Sequence, residues 1–425
     1  MLAALKESPQ FRLLFAGQVV SAIGSRLSLV GVPFAVYSIT HSTFAVGTIG
    51  LLSVIPAAAA ALLGGPLIDA MDRRKLLIAT QTAAACCSAA FGVNALLGKP
   101  QLWAFYLIAA VAGGVNAVDR PTRMAVVPNL VAAEKLGGAL AVWQLVEEVS
   151  GFAGPALAGV LIAAFGVATV FWIDVVTFLP ALIAVAALSP LPPKGGATQA
   201  GLRYAIQGIA YLRGRRLIQA LLVIDPMAML FGLPTAVFPA FGTTILGGGA
   251  RTVGLLYAAP GVGSLFGSFL AGWATRISRQ GLAILVGVAT WGLSMALFGL
   301  ARSLAVAIAA LAIGGAVDVV ATVLRHTAFQ ASIPDHVRGR LSALQFSSVL
   351  VAAGSGEFET GAVASLAGAR FSVVSGGLAC VVGTLALGIL APSLRTYRRA
   401  RGPATDSPPE SSAGSPPATE PAGGG

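Results

Sequence analysis

The chain has 425 residues, of which 56% are hydrophobic and only 10% are charged, with a net charge of +11 and a mean hydropathy of +0.85. Soluble domains carry about 25% charged residues, so this composition excludes an ordinary water-soluble protein and predicts that lipid solvates most of the chain. The positive residues are dispersed over short loops, which fits membrane topology and argues against nucleic-acid binding.

Apolar segments of about 20 residues, the length that a bilayer core requires, follow one another along the chain. In chain order we expect membrane helices near 11–38, 43–69, 76–97, 101–127, 137–164, 167–188, 217–245, 252–275, 281–301, 303–328, 341–368 and 370–391. Twelve segments in two groups of six predict an all-α membrane protein made of two six-helix bundles.

The groups define the domain organisation. We expect an N-terminal bundle at 1–188, a cytoplasmic linker at 189–216, a C-terminal bundle at 217–391 and a cytoplasmic tail at 392–425. Prolines open the linker and arginines close it, which suits a short amphipathic helix on the membrane surface. The tail is rich in Pro, Gly, Ser, Thr and Ala, a composition that predicts disorder.

Lysine and arginine residues orient the chain, because cytoplasmic loops carry an excess of them. With the N-terminus inside, the loops of the other face hold few of the 27 basic residues, namely Lys99, Arg251, Arg302 and Arg370. We therefore expect a multi-pass protein of the inner (plasma) membrane with both termini in the cytoplasm.

An internal repeat relates the two halves. Gly47 and Gly254 stand 207 residues apart in similar surroundings, and Pro128 and Pro334 stand 206 apart. A nearly constant offset predicts parallel repeats related by an axis along the membrane normal, with a binding site near the midplane between them.

The loop between the second and third segments carries a motif of one glycine, an aspartate four residues later, and a basic cluster. Its residues are Gly65, Asp69, Arg73 and Arg74. The motif resembles the cytoplasmic loop signature of the major facilitator superfamily, in which it helps to gate the cytoplasmic side. Ala70 and Asp72 depart from the signature, since they replace a basic residue and a glycine.

Other stretches resemble the enterobactin-exporter-like branch of that superfamily over about residues 10–392. They are Phe11-Arg12-Leu13-Leu14, Gly17-Gln18, Pro121-Thr122-Arg123, Val127-Pro128 and Arg338-Gly339-Arg340. The resemblance implies export of a siderophore or drug-like molecule, with drug resistance as a possible consequence, usually coupled to proton entry. The branch often has an acid after the glycine of the first helix, where this chain has Ser25 and Arg26 after Gly24.

The fifth segment contains a glycine-rich stretch around Gly154 and Pro155 that resembles the antiporter motif of facilitator exporters. We expect these two residues to take part in conformational gating, because a proline bends a helix and frees a carbonyl. The match is partial, since Ala158 stands where a glycine is usual. A plain packing face of small residues is the alternative.

Charged side chains inside the membrane are functional candidates, since each costs about 2.5–3.5 kcal/mol at a helix centre. The candidates for substrate binding or proton coupling are Arg26, Asp119, Arg123, Glu148, Asp225, Asp318 and Glu357. Most of them fall on the first, fourth, seventh and tenth segments, which line the cavity in the facilitator fold.

Each candidate also has a structural alternative. Asp119 and Arg123 also fit a gating or structural ion-pair cluster, and Asp225 precedes Pro226, where a helix would bend. Glu357 also suits a contact that pairs the two halves.

The neighbouring carboxyls Glu147 and Glu148 lie about 100° apart on a helix, so only one can point squarely into a cavity. We favour Glu148 for this position. A partly desolvated carboxyl there is suited to exchanging a proton, an arginine and substrate.

No motif indicates catalysis, a cofactor or a metal. The chain lacks a phosphate-binding loop of the Gly-x-x-x-x-Gly-Lys-Ser/Thr kind, which argues against ATP as the energy source. The three histidines and three cysteines are scattered without metal-ligand spacing. We expect a monomeric secondary transporter that exports a small amphipathic organic molecule by proton antiport. An importer or uniporter, or a non-transporting membrane sensor, is the alternative.

Overall fold

The computed structural model describes residues 8–192 and 210–398, without the side chains of residues 61–70 and 336. Its long helices are α1 (Pro9–Thr40), α2 (Thr43–Ala70), α3 (Arg73–Leu96), α4 (Leu102–Leu130), α5 (Leu136–Phe165), α6 (Val167–Ala186), α7 (Arg216–Gly232), α8 (Gly249–Ala274), α9 (Gln280–Leu300), α10 (Leu304–Ser332), α11 (Asp335–Ala367) and α12 (Ala369–Leu390). Including the irregular continuation of α7 to Ile245, the predicted segments end within six residues of these bounds. The predicted linker helix and disordered tail fall largely at 193–209 and 399–425, outside the described residues.

Local signals set the helix ends. The Ser8 hydroxyl accepts a hydrogen bond from the Phe11 amide at 3.1 Å, and Pro9 occupies the first turn of α1, where its missing N–H costs nothing. Gly166 and Gly368 make the sharp turns after α5 and α11 with φ values of 85° and 92°, which favour glycine. These two turns occupy equivalent places in the two halves.

Helix α7 is not the continuous helix that hydropathy predicts. It ends at Gly232, and a 3₁₀ turn (Thr235–Val237), one α-helical turn and a π turn (Phe241–Ile245) complete the crossing. Pro234 and Pro239 lack amide protons, so backbone carbonyls are left without helical partners. Side-chain hydroxyls add partners at the break, as lipid cannot. Thr360 donates to the Leu233 carbonyl at 3.3 Å, and Tyr257 donates at 3.0 Å to the Thr235 carbonyl, which also accepts from the Phe238 amide.

The twelve helices form two bundles of six, α1–α6 and α7–α12, which confirms the predicted fold class. Within the described residues, eleven helical segments are long and apolar enough to cross a membrane. Helix α11 has 33 residues but is more polar, because it carries Glu357 and Glu359. We call the face that holds the start of α1 and the end of α12 the near side, and the opposite face the far side.

The two bundles meet through α2 against α11 and through α5 against α8. Glycines allow the backbones to touch there: a Cβ built on Gly47 would lie 3.1 Å from the Gly361 Cα, and one built on Gly159 would lie 2.8 Å from the Gly254 Cα. These approaches lie in the far halves of the helices, so they shut the passage between the bundles on that side. The repeated glycines Gly47 and Gly254 thus occupy equivalent contacts.

A bulky residue at this contact should part the bundles on the far side. We expect Gly254→Leu to lengthen the distance between spin labels at Lys99→Cys and Arg302→Cys, two exposed far-side positions in different bundles. The native cysteines are replaced by serine for this double electron–electron resonance measurement. Gly272→Leu is the matched control on the same helix, because a Cβ there meets no described atom within 4 Å. Equal distances in both variants would contradict the claim that the Gly254 contact shuts the far side.

Candidate functional site

A cavity of about 410 Å³ lies between the bundles, about half-way along the helices. The first bundle contributes a charged and polar wall, made of Arg26, Arg120, Gln144, Glu147 and Glu148. The second bundle contributes a mainly apolar wall, made of Met229, Phe238, Tyr257, Trp291, Met295 and the single acid Asp318. The site therefore offers an amphipathic ligand a distinct surface for each of its ends.

On the charged wall, Arg26 pairs with Glu147 through Nη2 and Oε2 at 3.1 Å. Gly154 leaves the room for Arg26, since a Cβ there would lie 3.2 Å from the Arg26 Cγ. Glu148 accepts a hydrogen bond from Gln144 at 2.9 Å instead of forming an ion pair in the described part of the chain. Both glutamates face the cavity, so the role predicted for Glu148 stays a prediction.

On the opposite wall, two aspartates share one arginine. The Arg325 Nη2 lies 2.6 Å from the Asp225 Oδ1 and 3.6 Å from the Asp318 Oδ1. Asp225 also accepts from Gln345 at 3.3 Å, and Arg325 donates to Thr322 at 2.6 Å. We call Asp225, Arg325 and Asp318 the acid–arginine triad. When both carboxyls are ionised, the triad carries one excess negative charge.

Exposure differs sharply within the triad. The side chains of Arg325 and Asp225 are only 4% and 8% exposed, whereas that of Asp318 is 34% exposed and reaches the cavity. Arg325 is not among the candidates predicted from the sequence. The available signal was its spacing: Asp318 and Arg325 are seven residues apart, which puts them on one face of α10.

Asp119 and Arg123 lie within the first bundle. Their side chains pair at 2.7 Å, Thr80 donates to Asp119 at 2.7 Å, and Arg123 donates to Gln18 at 3.0 Å. The cluster joins α1, α3 and α4, whereas the cavity wall takes Arg120 from the same stretch. This geometry favours the structural alternative for the pair.

Asp174 is a buried acid to which the sequence analysis assigned no role. It is 2% exposed and accepts hydrogen bonds from Ser28 at 2.6 Å and from Ser88 at 2.7 Å. A Cβ at Gly24 would lie 2.8 Å from its Oδ1, so glycine is required for the close approach of α1. The hydroxyls join α1, α3 and α6 around one carboxyl.

The loop before α3 is tied to its own bundle. Asp72 caps α3, because its Oδ1 accepts from the Arg74 amide at 2.8 Å and from the Leu191 amide at 3.3 Å. The side chain of Arg73 donates to the Ala125 carbonyl at 3.1 Å, and that of Arg74 donates to the Ala186 carbonyl. The departure at Asp72 therefore has a structural role. Gly65 and Asp69 lie within 61–70, where the structure describes the backbone but no side-chain contacts.

Pro155 and Glu357 belong to contacts between the bundles. Pro155 lines the cavity, and its carbonyl would lie 2.7 Å from a Cβ built on Gly254. Glu357 accepts from the Thr235 hydroxyl at 3.0 Å and lies against Gly50 of α2. Glu357 thus occupies the far-side contact, as in the alternative that has it pair the two halves.

Removing the shared cation should destabilise the second bundle. We expect Arg325→Gln to cost about 3 kcal/mol, because it leaves a buried carboxylate without its counter-charge. The midpoint of thermal unfolding in detergent should fall further in Arg325→Gln than in Asp225→Asn/Arg325→Gln, which removes the stranded charge as well. A double variant less stable than the single variant would contradict this account of the triad.

Comparison with known proteins identifies the family to which the chain belongs. The family model described as transmembrane secretion effector, within the major facilitator superfamily, matches residues 2–406. The enterobactin exporter EntS of Citrobacter koseri is 26% identical over 398 residues, 94% of this chain and 95% of its own. The EntS protein of Escherichia coli O139:H28 is 26% identical over 389 residues, 92% of each chain.

Solved structures share the fold. A bacterial homologue of the iron transporter ferroportin in an inward-facing state gives a TM-score of 0.69 at 15% identity, covering 91% of this chain and 99% of its own. A POT family transporter in complex with 5-aminolevulinic acid gives a TM-score of 0.71 at 12% identity, covering 91% and 97%. The chain is a multi-pass membrane transporter, not an enzyme, and it belongs to the transmembrane secretion effector family of the major facilitator superfamily.

Proposed function

We propose that this protein exports a small amphipathic organic molecule in exchange for protons, by alternating access to the central cavity. The observation that carries the proposal is the placement of Asp318: its carboxyl reaches the cavity, and it shares Arg325 with the buried Asp225. An acid that exchanges a proton with the cavity must be tolerated both with and without its charge. This requires that the cation beside it keeps another anionic partner when the acid is protonated.

The triad provides such an exchange. When Asp318 holds a proton, Arg325 pairs with Asp225 alone, at 2.6 Å, and the triad is neutral. When the proton leaves, the Asp318 carboxylate adds a negative charge to the cavity wall, at 3.6 Å from an arginine that is already paired. Proton binding therefore changes the charge that a substrate meets, which is the physical basis for coupling.

The two walls support an amphipathic substrate. Trp291, Phe238 and the two methionines offer an apolar and polarisable surface, whereas Arg120 offers a guanidinium with no ion pair among the described side chains. A volume of about 410 Å³ lies in the range of pockets for drug-sized ligands. The names of the enterobactin exporter relatives add weight to a siderophore, with an antibiotic or drug of similar character as the other members of the class.

In the transport cycle, the N-terminal bundle (1–188) and the C-terminal bundle (217–391) rock about the cavity, joined by the linker at 189–216. The far-side glycine contacts hold one state shut, with Gly154 and Pro155 beside them. The loop residues Gly65, Asp69, Arg73 and Arg74 gate the near side, which we take as cytoplasmic in the inner membrane. The transporter works as a monomer, and Glu148 and Arg26 assist at the charged wall.

Transport into everted membrane vesicles tests the proposal. With an imposed gradient, acid inside, vesicles with the wild-type chain should accumulate enterobactin or a fluorescent amphipathic dye. We expect Asp318→Asn to reduce the initial rate by at least about tenfold, since an amide cannot exchange the proton. Asp335→Asn is the control, because this acid lies exposed on the surface and, among the described residues, its carboxyl pairs with Arg338.

Two outcomes would overturn the proposal. If vesicles with the wild-type chain accumulate no candidate substrate under the gradient, the proposal of export by proton antiport is wrong. An Asp318→Asn variant with the wild-type rate and the wild-type dependence on the gradient would remove the triad from coupling.

A further inference from the structure

Glu357 makes contacts at the boundary between the two bundles, outside the acid–arginine triad. Its Oε1 accepts a hydrogen bond from the Thr235 hydroxyl at 3.0 Å, at the break that follows α7. Its Oε2 lies against the backbone of Gly50 on α2 of the other bundle: a Cβ built on Gly50 would collide with this oxygen and lie 2.7 Å from the Glu357 Cβ. Only glycine at position 50 leaves room for the Glu357 carboxyl. The approach of α2 to α11 on the far side therefore brings the Gly50 backbone against this carboxyl.

The surfaces that cover Glu357 are uncharged. The part of α2 at 43–60 and the chain at 227–248 contain no Asp, Glu, Lys, Arg or His. Helix α12 has one charged residue, Arg370 in its first turn, whose guanidinium donates to the Ala301 carbonyl at 3.4 Å.

Three titratable or charged groups complete the surroundings. Tyr257 of α8 faces Glu357 through Thr235, since its hydroxyl donates to the Thr235 carbonyl at 3.0 Å. Arg251 stands at the exposed start of α8, and Glu359 on the same helix as Glu357 contacts Thr360 at 3.5 Å. Across the described residues, no cation pairs with Glu357.

The Glu357 side chain is half-buried. A half-buried carboxylate without a counter-charge loses part of its hydration, whereas a neutral carboxyl with a hydroxyl partner loses less. We propose that Glu357 is a proton-binding site of the far-side gate: it takes up a proton from the far-side solution as α2 closes on α11, and returns that proton to the same side as they part. This proton does not cross the membrane, so the site is separate from coupling at the triad. Acid on the far side therefore favours the shut gate, by linkage.

Distances across the far side test the proposal in the full chain, reconstituted in lipid nanodiscs. The labels are at Lys99→Cys and Arg302→Cys, with the native cysteines replaced by serine. Between about pH 5 and about pH 8, the wild-type population should shift from the shut toward the open distance. Glu357→Gln should stay shut at both pH values, because a neutral amide keeps the hydrogen bond to Thr235.

Two control variants separate this site from other acids. Glu359→Gln, two residues away, should keep the wild-type response to pH. Asp318→Asn should keep a response that the further change Glu357→Gln removes, so a chain that fails as an antiporter would still show the gate response. A wild type without any response, or a Glu357→Gln variant with the full response, would overturn the proposal.

A single and a double variant test the packing of Glu357 on Gly50 through side-chain size instead of through protonation. Gly50→Ala should hold the far side open at both pH values, because its methyl group occupies the place of the carboxyl. Gly50→Ala/Glu357→Gly should restore the shut distance, because loss of the Glu357 Cβ together with its carboxyl leaves room for the methyl group. This double variant keeps the test valid where the single variant folds poorly. A double variant that remains open would contradict the packing of Glu357 on Gly50.

Discussion

The contact between backbones on the far side governs what the rest of the molecule can do. Gly47 and Gly361 join α2 to α11, and Gly159 and Gly254 join α5 to α8, at distances that no larger residue permits. In lipid, where apolar side chains gain little by leaving their surroundings, close packing of this kind is a main source of helix association. Because the contacts lie in the far halves of the helices, they shut one end of the passage above a cavity whose walls belong to different bundles.

Charged side chains in this membrane interior have four kinds of surroundings. Arg26 and Glu147 pair directly on the cavity wall. Asp174 is held by the hydroxyls of Ser28 and Ser88 inside the first bundle, where it joins three helices. The acid–arginine triad has more acids than cations, and its member Asp318 reaches the cavity; under the proposed function, gain or loss of a proton there changes the charge of the cavity. Glu357 has a hydroxyl partner and lies against Gly50 of the other bundle, so the proton site that we propose there belongs to the contact between the bundles.

Hydropathy predicted the helices and their grouping, because the bilayer imposes one length and one polarity on every crossing. The break after α7 escaped prediction, since the partners that satisfy its carbonyls, Tyr257 and Thr360, come from distant helices. The cavity acid Asp318 was a candidate from its depth alone. Its relation to Asp225 through Arg325 depends on how α7 and α10 face each other, which periodicity within one helix does not determine. Equally, Asp72 looked like a departure from a motif until its cap on α3 was visible.

The central claim is that transport requires the far-side contact to open and close. Phe44 and Phe358 face each other across it, with ring centroids 5.5 Å apart, so a short bifunctional thiosulfonate reagent should bridge a cysteine pair at these positions. In a background without native cysteines, the account predicts that this crosslink stops substrate transport in vesicles and that reduction restores it, while each single-cysteine variant keeps its transport after the same treatment. Transport that continues at the same rate with the crosslink formed would contradict the account.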